Sequence, residues 1–213
     1  MKKNNATSEA LQEDLLRAIT AKGGIKSFPA NAIIINEGDC ADSLYIILSG
    51  RVKIYASNES GKEVVLNTHG PGEYVGEMAL DGGPRSASVM TLQPTTCSIV
   101  TGDSLREFIA AHPDFAQHLI HKLIRRARTA TESVKSLALM DVYGRVTRLL
   151  LELATEEGGK LVINGKLTQQ DIADRVGSSR EMVSRIFKDL TAGGYVSSET
   201  GRVVIHKKPP PGW

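Results

Sequence analysis

Short runs of β-branched residues recur about every 8–12 residues between Phe28 and Val100, and this spacing constrains the fold more than any other feature. Gly, Asn and Asp, which favour tight turns, separate the runs. This spacing is typical of an all-β sandwich or barrel. In chain order the runs read AIIIN, SLYIILSG, RVKIYAS, EVVLNTHG, YVGEM and CSIVTG.

Helical patterns flank this region. Residues 8–20 predict a short amphipathic helix with Thr7 or Ser8 as its N-cap. After the strands, SLREFIAAHPDF predicts a short helix that ends near His112. Residues 114–139 predict one long helix, because they contain neither Gly nor Pro.

The long helix carries a heptad seam, in which small and apolar residues recur at alternating steps of four and three. Such a seam favours a partner helix, and a two-fold homodimer is a simpler source of one than another part of the same chain. The seam consists of Ile120, Ile124, Ala127, Thr131, Val134 and Ala138.

The long helix is interrupted at MDVYGRV, where Asp141 and Gly144 predict a hinge. RVTRLLLELATEE predicts a further helix that ends at Gly158 and Gly159, followed by two short strand runs.

The stretch LTQQDIADRVGSSREMVSRIFKDL predicts two helices joined by a short turn, as in a helix-turn-helix. Thr168 and Asp171 resemble a capping box, Gly177 closes the turn, and Ser178 or Ser179 caps the second helix. Apolar residues should face inward on both helices. They are Ile172, Ala173, Val176, Val183, Ile186, Phe187 and Leu190.

The opposite face of the second helix carries Arg180, Glu181, Ser184 and Arg185. Arginine can bond guanine bidentately and glutamate can accept from cytosine, so this face suits base reading; the alternative is a solvated face. YVSSETGRVVIH predicts a hairpin with Gly201 at its tip, which would complete a winged helix-turn-helix.

The stretch GEMALDGGPRSASV, residues 76–89, places two acids, an arginine and three glycines among apolar neighbours. Closely spaced glycines and a helical turn at EMAL predict a backbone site for an anion. Arg85 offers a permanent cation to phosphate, Ser86 a small donor, and Glu77 an acceptor for a sugar hydroxyl. Alternatively, Arg85 and Glu77 pair with one another in a structural turn.

The charge of the chain is uneven. Residues 28–111 hold five Lys and Arg against ten Asp and Glu, whereas 112–140 hold five against two and 141–213 eleven against nine. The first segment is therefore a poor candidate for nucleic-acid binding, and the later two could bind it.

Other features argue against an enzyme, a metal site or a membrane protein. Two cysteines cannot form a four-cysteine site, so Cys40 and Cys97 are predicted to be buried thiols in a reduced cytoplasm. Residues 1–19 are not expected to act as a secretory signal, and no apolar run reaches the roughly 18 residues of a membrane span. His112, His118 and His121 lack metalloprotease spacing, and His69 is predicted to be a turn residue rather than a haem ligand.

On these motifs the chain resembles the cAMP receptor protein/FNR family of bacterial transcription regulators over essentially its full length. GEMALDGGPRSASV is similar to that family's phosphate-binding cassette, LALMDVYGRV to its hinge, and GSSREMVSRIFKDL to its recognition helix. The resemblance implies an α+β fold with an N-terminal double-stranded β-helix (jelly-roll), a long dimerisation helix and a C-terminal winged helix-turn-helix. The corresponding domains are residues 1–111, 112–140 and 141–213.

The resemblance also implies an effector and the residues that bind it. The effector is cAMP or another cyclic nucleotide, with a cyclic dinucleotide or no ligand at all as alternatives. Gly76 and Glu77 would lie at the ribose, and Arg85 and Ser86 at the cyclic phosphate. The implied nucleotide-binding residues are Gly76, Glu77, Met78, Ala79, Arg85, Ser86, Ala130 and Thr131.

The implied partners are double-stranded DNA, a second copy of the chain and RNA polymerase. Arg180, Glu181 and Arg185 would read a TGTGA-like inverted repeat whose half-sites lie roughly 34 Å apart, while Lys188 and Arg202 would contact phosphates. The implied DNA-binding residues are Thr168, Gln169, Gln170, Ser178, Ser179, Arg180, Glu181, Ser184, Arg185, Lys188 and Arg202.

Three departures from the family pattern bear on these expectations. Ala130 and Thr131 stand where cAMP-binding members carry two hydroxyl residues, so one hydroxyl is missing, although Thr129 lies beside it. The segment from Glu77 to Arg85 and the loop TEEGGKLVING are both shorter than in the best-known cAMP receptor. Phosphate and sugar recognition are thus better supported than adenine recognition or the RNA polymerase contact.

Overall fold

The computed structural model describes residues 10–59, 61, 63–165, 167–199 and 201–210; the side chain of Ala79 is not described. The chain divides into two compact units. They are Met1–Ala56 with Val65–Ala127, and Ser57–Val64 with Arg128–Trp213. The three-domain division predicted from the sequence stays a prediction.

Eight strands form two four-stranded sheets in the N-terminal half, with orders β1-β8-β3-β6 and β2-β7-β4-β5. The strands are β1 (Gly24–Phe28), β2 (Ile33–Ile35), β3 (Leu44–Ser49), β4 (Val52–Ser57), β5 (Glu63–His69), β6 (Tyr74–Val75), β7 (Ser88–Thr91) and β8 (Thr95–Val100). The predicted β-sandwich is confirmed. The strands β1 and β7 were not predicted, because neither sequence contains an extended β-branched run.

Helices pack against the first sheet. They are α1 (Glu13–Thr20), a 3₁₀ helix (Glu77–Asp81), α2 (Gly102–Ala111) and α3 (Pro113–Leu139). The helix predicted within SLREFIAAHPDF, ending near His112, and the long helix predicted over residues 114–139 are confirmed. The predicted start of α1 was wrong, because Gln12 has an extended ψ of 146° and Leu11 donates its N–H to the carbonyl of Gly72. Thr7 and Ser8 lie outside the described residues.

The interior of the first unit has an aromatic cluster between sheet and helices. Tyr74, Phe108 and Phe115 are all buried, with ring centroids 5.9 Å apart for Tyr74–Phe115 and 5.4 Å for Phe108–Phe115. Because Phe115 is on α3 and Tyr74 on β6, this packing fixes the beginning of α3 on the sheet strand that precedes the cassette.

The second unit has its own core around α4 (Val142–Leu153), α5 (Gln169–Val176) and α6 (Arg180–Ala192). A four-stranded sheet of order β11-β12-β10-β9 packs with these helices. Its strands are β9 (Thr155–Glu157), β10 (Lys160–Asn164), β11 (Val196–Glu199) and β12 (Arg202–Ile205).

Two predictions for this unit need correction. The helix α4 ends at Leu153 rather than at Gly158, because Thr155–Glu157 pair with Lys160–Val162 as an antiparallel hairpin. The segment TEEGGKLVING is therefore largely a hairpin, and the sheet described after α4 has four strands where two were predicted.

Two further predictions concern the burial of the two cysteine thiols and the absence of a membrane span. Cys97 is buried, and burial raises the pKa of its thiol to about 11, whereas Cys40 is exposed, so the prediction of a buried thiol was wrong for Cys40. Of the helices in the described ranges, none is long and apolar enough to cross a membrane.

Candidate functional sites

The guanidinium of Arg85 lies at the ends of two neighbouring strands. Strand β3 runs antiparallel to β6, so the residue before β3 and the residue after β6 meet at one sheet edge. The side chain donates from Nη1 to the carbonyl of Gly76 at 2.8 Å and from Nη2 to that of Ser43 at 2.7 Å. Arg85 is only 5% exposed.

The backbone at this edge accepts the guanidinium because residue 76 is glycine. Gly76 has a φ of +95°, in the left-handed region that other residues rarely adopt. A Cβ at this position would lie 2.6 Å from Nη1 of Arg85 and 2.8 Å from the carbonyl of Ser43. Gly76 therefore meets both a conformational and a steric requirement.

The main chain of Arg85 is fixed as well. Its N–H donates to the carbonyl of Asp39 at 2.9 Å, and its own carbonyl accepts from Gly38 at 2.8 Å. Ser86 is exposed, with Oγ 3.3 Å from Sδ of Met78, a half-exposed side chain on the 3₁₀ helix. Ala79 lies on the same 3₁₀ helix. The helical turn predicted at EMAL is confirmed.

Glu77 begins the 3₁₀ helix and is 3% exposed. Its Oε1 accepts from Nη1 of Arg126 on α3. Its Oε2 is buried and has no hydrogen-bond partner among the described residues. The predicted alternative, a structural pair between Arg85 and Glu77, was wrong, because each side chain bonds elsewhere.

A cluster of charged and polar side chains behind Glu77 was not predicted from the sequence. Nη2 of Arg126 lies 2.9 Å from Nε2 of His69, whose Nδ1 lies 3.0 Å from Oε1 of Glu73. Lys122, one turn before Arg126, is fully buried and donates to the carbonyl of Tyr74 at 2.7 Å.

Electrostatics in this cluster favour an ionised Glu73. Burial alone would raise the pKa of this carboxyl group. Hydrogen bonds from the His69 ring and the Gly70 N–H outweigh burial, together with the charge of Lys122 and, when its ring is protonated, that of His69. The pKa of Glu73 therefore lies below its usual value. His69 is the last residue of β5 and is buried, so its predicted role as a turn residue was wrong.

A signal for these residues exists in the sequence. Phe115, Leu119, Lys122 and Arg126 recur at steps of four, three and four, which places them on one face of α3. Phe115 and Leu119 pack into the core, so two cations continue an apolar stripe. A charge at such a position indicates buried acceptors opposite it.

The outer side of α3 is apolar and exposed. All six predicted seam residues are exposed, and Val134 is 65% exposed. Ala130 and Thr131 are exposed on the part of α3 that belongs to the second unit.

The break predicted in the long helix at MDVYGRV is confirmed. Helix α3 ends at Leu139, and Asp141 caps α4 by accepting from the Gly144 N–H at 2.7 Å.

The helix-turn-helix has the local geometry that its sequence predicts. Thr168 and Asp171 form a reciprocal capping box at the start of α5. Gly177 ends α5 in the left-handed region, with a φ of +66°, and Ser179 caps α6 by accepting from the Met182 N–H at 3.2 Å. All seven residues predicted to face inward are buried.

The predicted base-reading side chains lie on the opposite face of α6. Arg180, Glu181, Ser184, Arg185 and Lys188 are all exposed. Of the other residues predicted to bind DNA, Gln170 and Ser179 are exposed, and Thr168, Gln169 and Ser178 are partly buried. Arg202, on the wing, donates from Nε to Glu199 at 2.7 Å.

Comparisons with known proteins agree with these features. Residues 25–112 match the family model described as cyclic nucleotide-binding domain, and residues 144–209 match the one described as Crp-like helix-turn-helix domain. In the described part of the chain, no group of three His, Cys, Asp or Glu side chains could hold a metal ion.

The chain is similar to named regulators along most of its length. It is 35% identical over 202 residues to the CRP-like cAMP-activated global transcriptional regulator of Mycobacterium tuberculosis, covering 92% of this chain and 90% of that protein. It is 32% identical over 187 residues to the cAMP-activated global transcriptional regulator CRP of Salmonella typhimurium, covering 85% and 89%.

Solved structures show the same fold. The c-di-GMP responsive global regulator CLP of Xanthomonas campestris is 26% identical, with a TM-score of 0.81 and coverage of 92% of this chain and all of that one. The named relatives are transcription regulators, a family without enzymatic activity. The chain therefore belongs to the CRP/FNR family of cyclic-nucleotide-responsive transcription regulators and binds DNA through its helix-turn-helix.

Proposed function

We propose that the protein is a homodimeric transcription regulator that binds cAMP and then reads a TGTGA-like inverted repeat. One observation supports the binding of an anionic effector. Arg85 is a buried cation bonded to two carbonyls, and no carboxylate among the described residues pairs with it. Burying a charge is costly unless an opposite charge compensates it, so this site suits a small anion.

The contacts around Arg85 fit a cyclic phosphate. A guanidinium carries five N–H donors, so the two bonds to carbonyls leave donors for phosphate oxygens. The carbonyls also hold the planar guanidinium in place before a ligand arrives, which reduces the ordering cost of binding. Ser86, exposed next to Arg85, would add a hydroxyl donor.

The sugar contact rests on Glu77. Its Oε2 is a buried acceptor without a partner among the described residues, and a ribose hydroxyl would supply the missing donor. Arg126 orients the carboxylate through its bond to Oε1. Gly76, Met78 and Ala79 would complete the wall around the nucleotide.

The choice of cAMP over other nucleotides rests on the relatives. The M. tuberculosis and S. typhimurium relatives are named as cAMP-activated, and both exceed 30% identity. The second candidate is a cyclic dinucleotide, favoured by the c-di-GMP responsive neighbour and by the replacement of one base-contacting hydroxyl by Ala130. Thr131 would supply the remaining hydroxyl from across the dimer.

The dimer proposal rests on α3. Exposed apolar side chains, among them Ile120, Ile124 and Val134, follow a heptad spacing that a second α3 would cover. Effector binding would change how the two helices pack and move the DNA-binding domains at Asp141–Gly144. A ligand shifts such an equilibrium only by its difference in affinity between the two states.

The DNA proposal rests on the exposed face of α6. Arg180, Glu181 and Arg185 would read bases, while Lys188 and Arg202 position the domain on phosphates. Two such domains related by a two-fold axis require an inverted repeat. We expect the protein to act in the cytoplasm, where DNA and nucleotide effectors occur together, and a contact with RNA polymerase stays a prediction.

A thermal-shift panel of cAMP, cGMP and c-di-GMP tests the effector proposal, because a ligand that binds the folded form raises its melting temperature. We expect the largest rise with cAMP. A larger rise with c-di-GMP would favour the second candidate, and no rise with any of them would contradict nucleotide control.

A mobility-shift titration tests the link to DNA. We expect tighter binding to a TGTGA inverted repeat when the effector is present. Equal affinity with and without each nucleotide of the panel would show that the protein binds DNA independently of a ligand.

A further inference from the structure

His69 lies at a junction between the cassette and α3. Its ring is buried at the end of β5, with Glu73 on one nitrogen and Arg126 on the other. Arg126 in turn bonds the carboxylate of Glu77. A chain of contacts thus runs from Glu73 through His69 and Arg126 to the proposed sugar acceptor.

We propose that His69 is a positioning residue for the effector: it holds Arg126 against Glu77 while neutral and releases it when protonated, so that effector affinity falls in acid. The inference rests on the proposed function, because it concerns how the same site binds a cyclic nucleotide. It adds a residue outside the cassette and a dependence on pH.

The contacts define which tautomer of the His69 ring can hold Arg126. The guanidinium can only donate, so Nε2 of His69 must accept from Arg126 and cannot carry a proton. The proton of the neutral ring therefore lies on Nδ1, from which it is donated to Oε1 of Glu73. Both ring nitrogens have partners in this tautomer.

Protonation of His69 at Nε2 would point the second N–H of the ring at the Arg126 guanidinium, which can itself only donate. Among the described residues, the charged groups that face the ring and its partners include Glu73 before β6, Glu77 on the 3₁₀ helix, and Lys122 and Arg126 on α3. A charged ring and Arg126 cannot keep their present contact, so Arg126 must turn away from His69.

Movement of Arg126 would weaken effector binding through its contact with Glu77. The carboxylate of Glu77 is fully buried, and Arg126 is its ion-pair partner. Without that partner the carboxylate is no longer held in its present orientation, so its Oε2 is no longer aimed at the sugar hydroxyl. By linkage, effector binding opposes protonation of His69 as strongly as protonation opposes binding.

Calorimetric titration of cAMP at about pH 8 and about pH 5.5 tests the inference, because histidine changes charge in this interval. We expect the wild type to lose affinity by about fivefold or more at the lower pH. The variant His69→Gln, which cannot titrate but can donate and accept, should lose much less. His121→Gln, at an exposed position on α3, is the control and should behave like the wild type.

The outcomes separate this inference from the proposed function. Binding with the same pH dependence in the wild type and His69→Gln, or tighter wild-type binding in acid, would overturn the inference alone. Failure of the wild type to bind cAMP, cGMP or c-di-GMP at either pH would overturn the proposed function as well.

A second measurement uses the wild type without ligand, in case His69→Gln folds poorly. Nitrogen-15 NMR of the histidine rings distinguishes the two neutral tautomers. We expect His69 to carry its proton on Nδ1 at about pH 8, since Arg126 occupies Nε2. A proton on Nε2 would overturn the inference irrespective of any binding result.

Discussion

The two functional regions differ in whether their charged side chains are buried or exposed. In the cassette, Glu77 and Arg85 are buried and held by specific partners, as is Lys122 on the neighbouring helix α3. On α6, Arg180 and Arg185 are exposed. A buried charge needs compensation, whereas an exposed charge is solvated by water.

This difference indicates two kinds of partner. The buried, fixed cation at Arg85 suits one small anion of defined shape, because its geometry is set before binding. The exposed side chains of α6 can adapt to the edges and phosphates of an extended polyanion. Substitutions in the two regions should therefore differ in the size and the selectivity of their effects.

The largest expected effect is that of Arg85→Leu on effector binding. Removal of one partner from a buried charged contact typically costs about 3–5 kcal/mol, which corresponds to a loss of more than a hundredfold in affinity. Calorimetry with cAMP measures it. Arg106→Leu, at an exposed arginine of α2, is the control and should leave affinity unchanged. Similar affinities for both variants would contradict the role of Arg85.

Gly76→Ala should have the next largest effect. It should lower both the free energy of unfolding and the affinity for cAMP. A strained backbone conformation costs about 1–3 kcal/mol, and here the added Cβ would also displace Arg85. Gly38→Ala isolates the strain, because Gly38 has a φ of +85° with nothing within 4 Å of the added atom. Chemical unfolding should show a larger loss for Gly76→Ala, and only this variant should weaken cAMP binding. Equal losses would mean that the close approach to Arg85 is unimportant.

In the DNA-binding region, Glu181→Ala should reduce discrimination at one base pair by about 1–3 kcal/mol and leave nonspecific affinity intact. Lys188→Ala is the matched comparison. It should weaken binding to all sequences alike and reduce the salt dependence by about one counterion. Titrations against a set of operator variants measure both. A uniform loss for Glu181→Ala would show that this residue positions the domain and does not read a base.

The smallest expected effect is on stability in acid. The pKa of Glu73 is lowered in the folded protein, so its stabilising contribution is present above the unfolded-state pKa and is lost as the pH falls through the folded value. Glu73→Gln should therefore cost about 1 kcal/mol near neutral pH, and the difference from wild type should shrink below about pH 4.

Thermal unfolding from about pH 7 down to about pH 3 measures this difference, with Glu107→Gln on the exposed side of α2 as a control. A constant difference between wild type and Glu73→Gln across that range would contradict the assignment of a lowered pKa to Glu73.

Local patterns were sufficient to predict much of this structure. The capping box at Thr168, the left-handed Gly177 and the inward face of α6 follow from short-range rules, and the structure confirms them. The break at Asp141 is also local, because an N-cap needs only its own side chain and the next turn.

Long-range contacts were not predictable in the same way. Arg126 lies 49 residues from Glu77, and Arg85 lies 42 residues from the carbonyl of Ser43. These partners meet because of strand order, which spacing along the chain does not encode. The hairpin β9–β10 was missed for a related reason, since Thr155–Glu157 become a strand only by pairing with β10.

A crystal structure of the complex with cAMP tests the central claim most directly. We expect a phosphate oxygen within about 2.7–2.9 Å of the Arg85 guanidinium and a ribose hydroxyl donating to Oε2 of Glu77. A complex in which cAMP binds away from Arg85, with that guanidinium still bonded only to the carbonyls of Gly76 and Ser43, would contradict it.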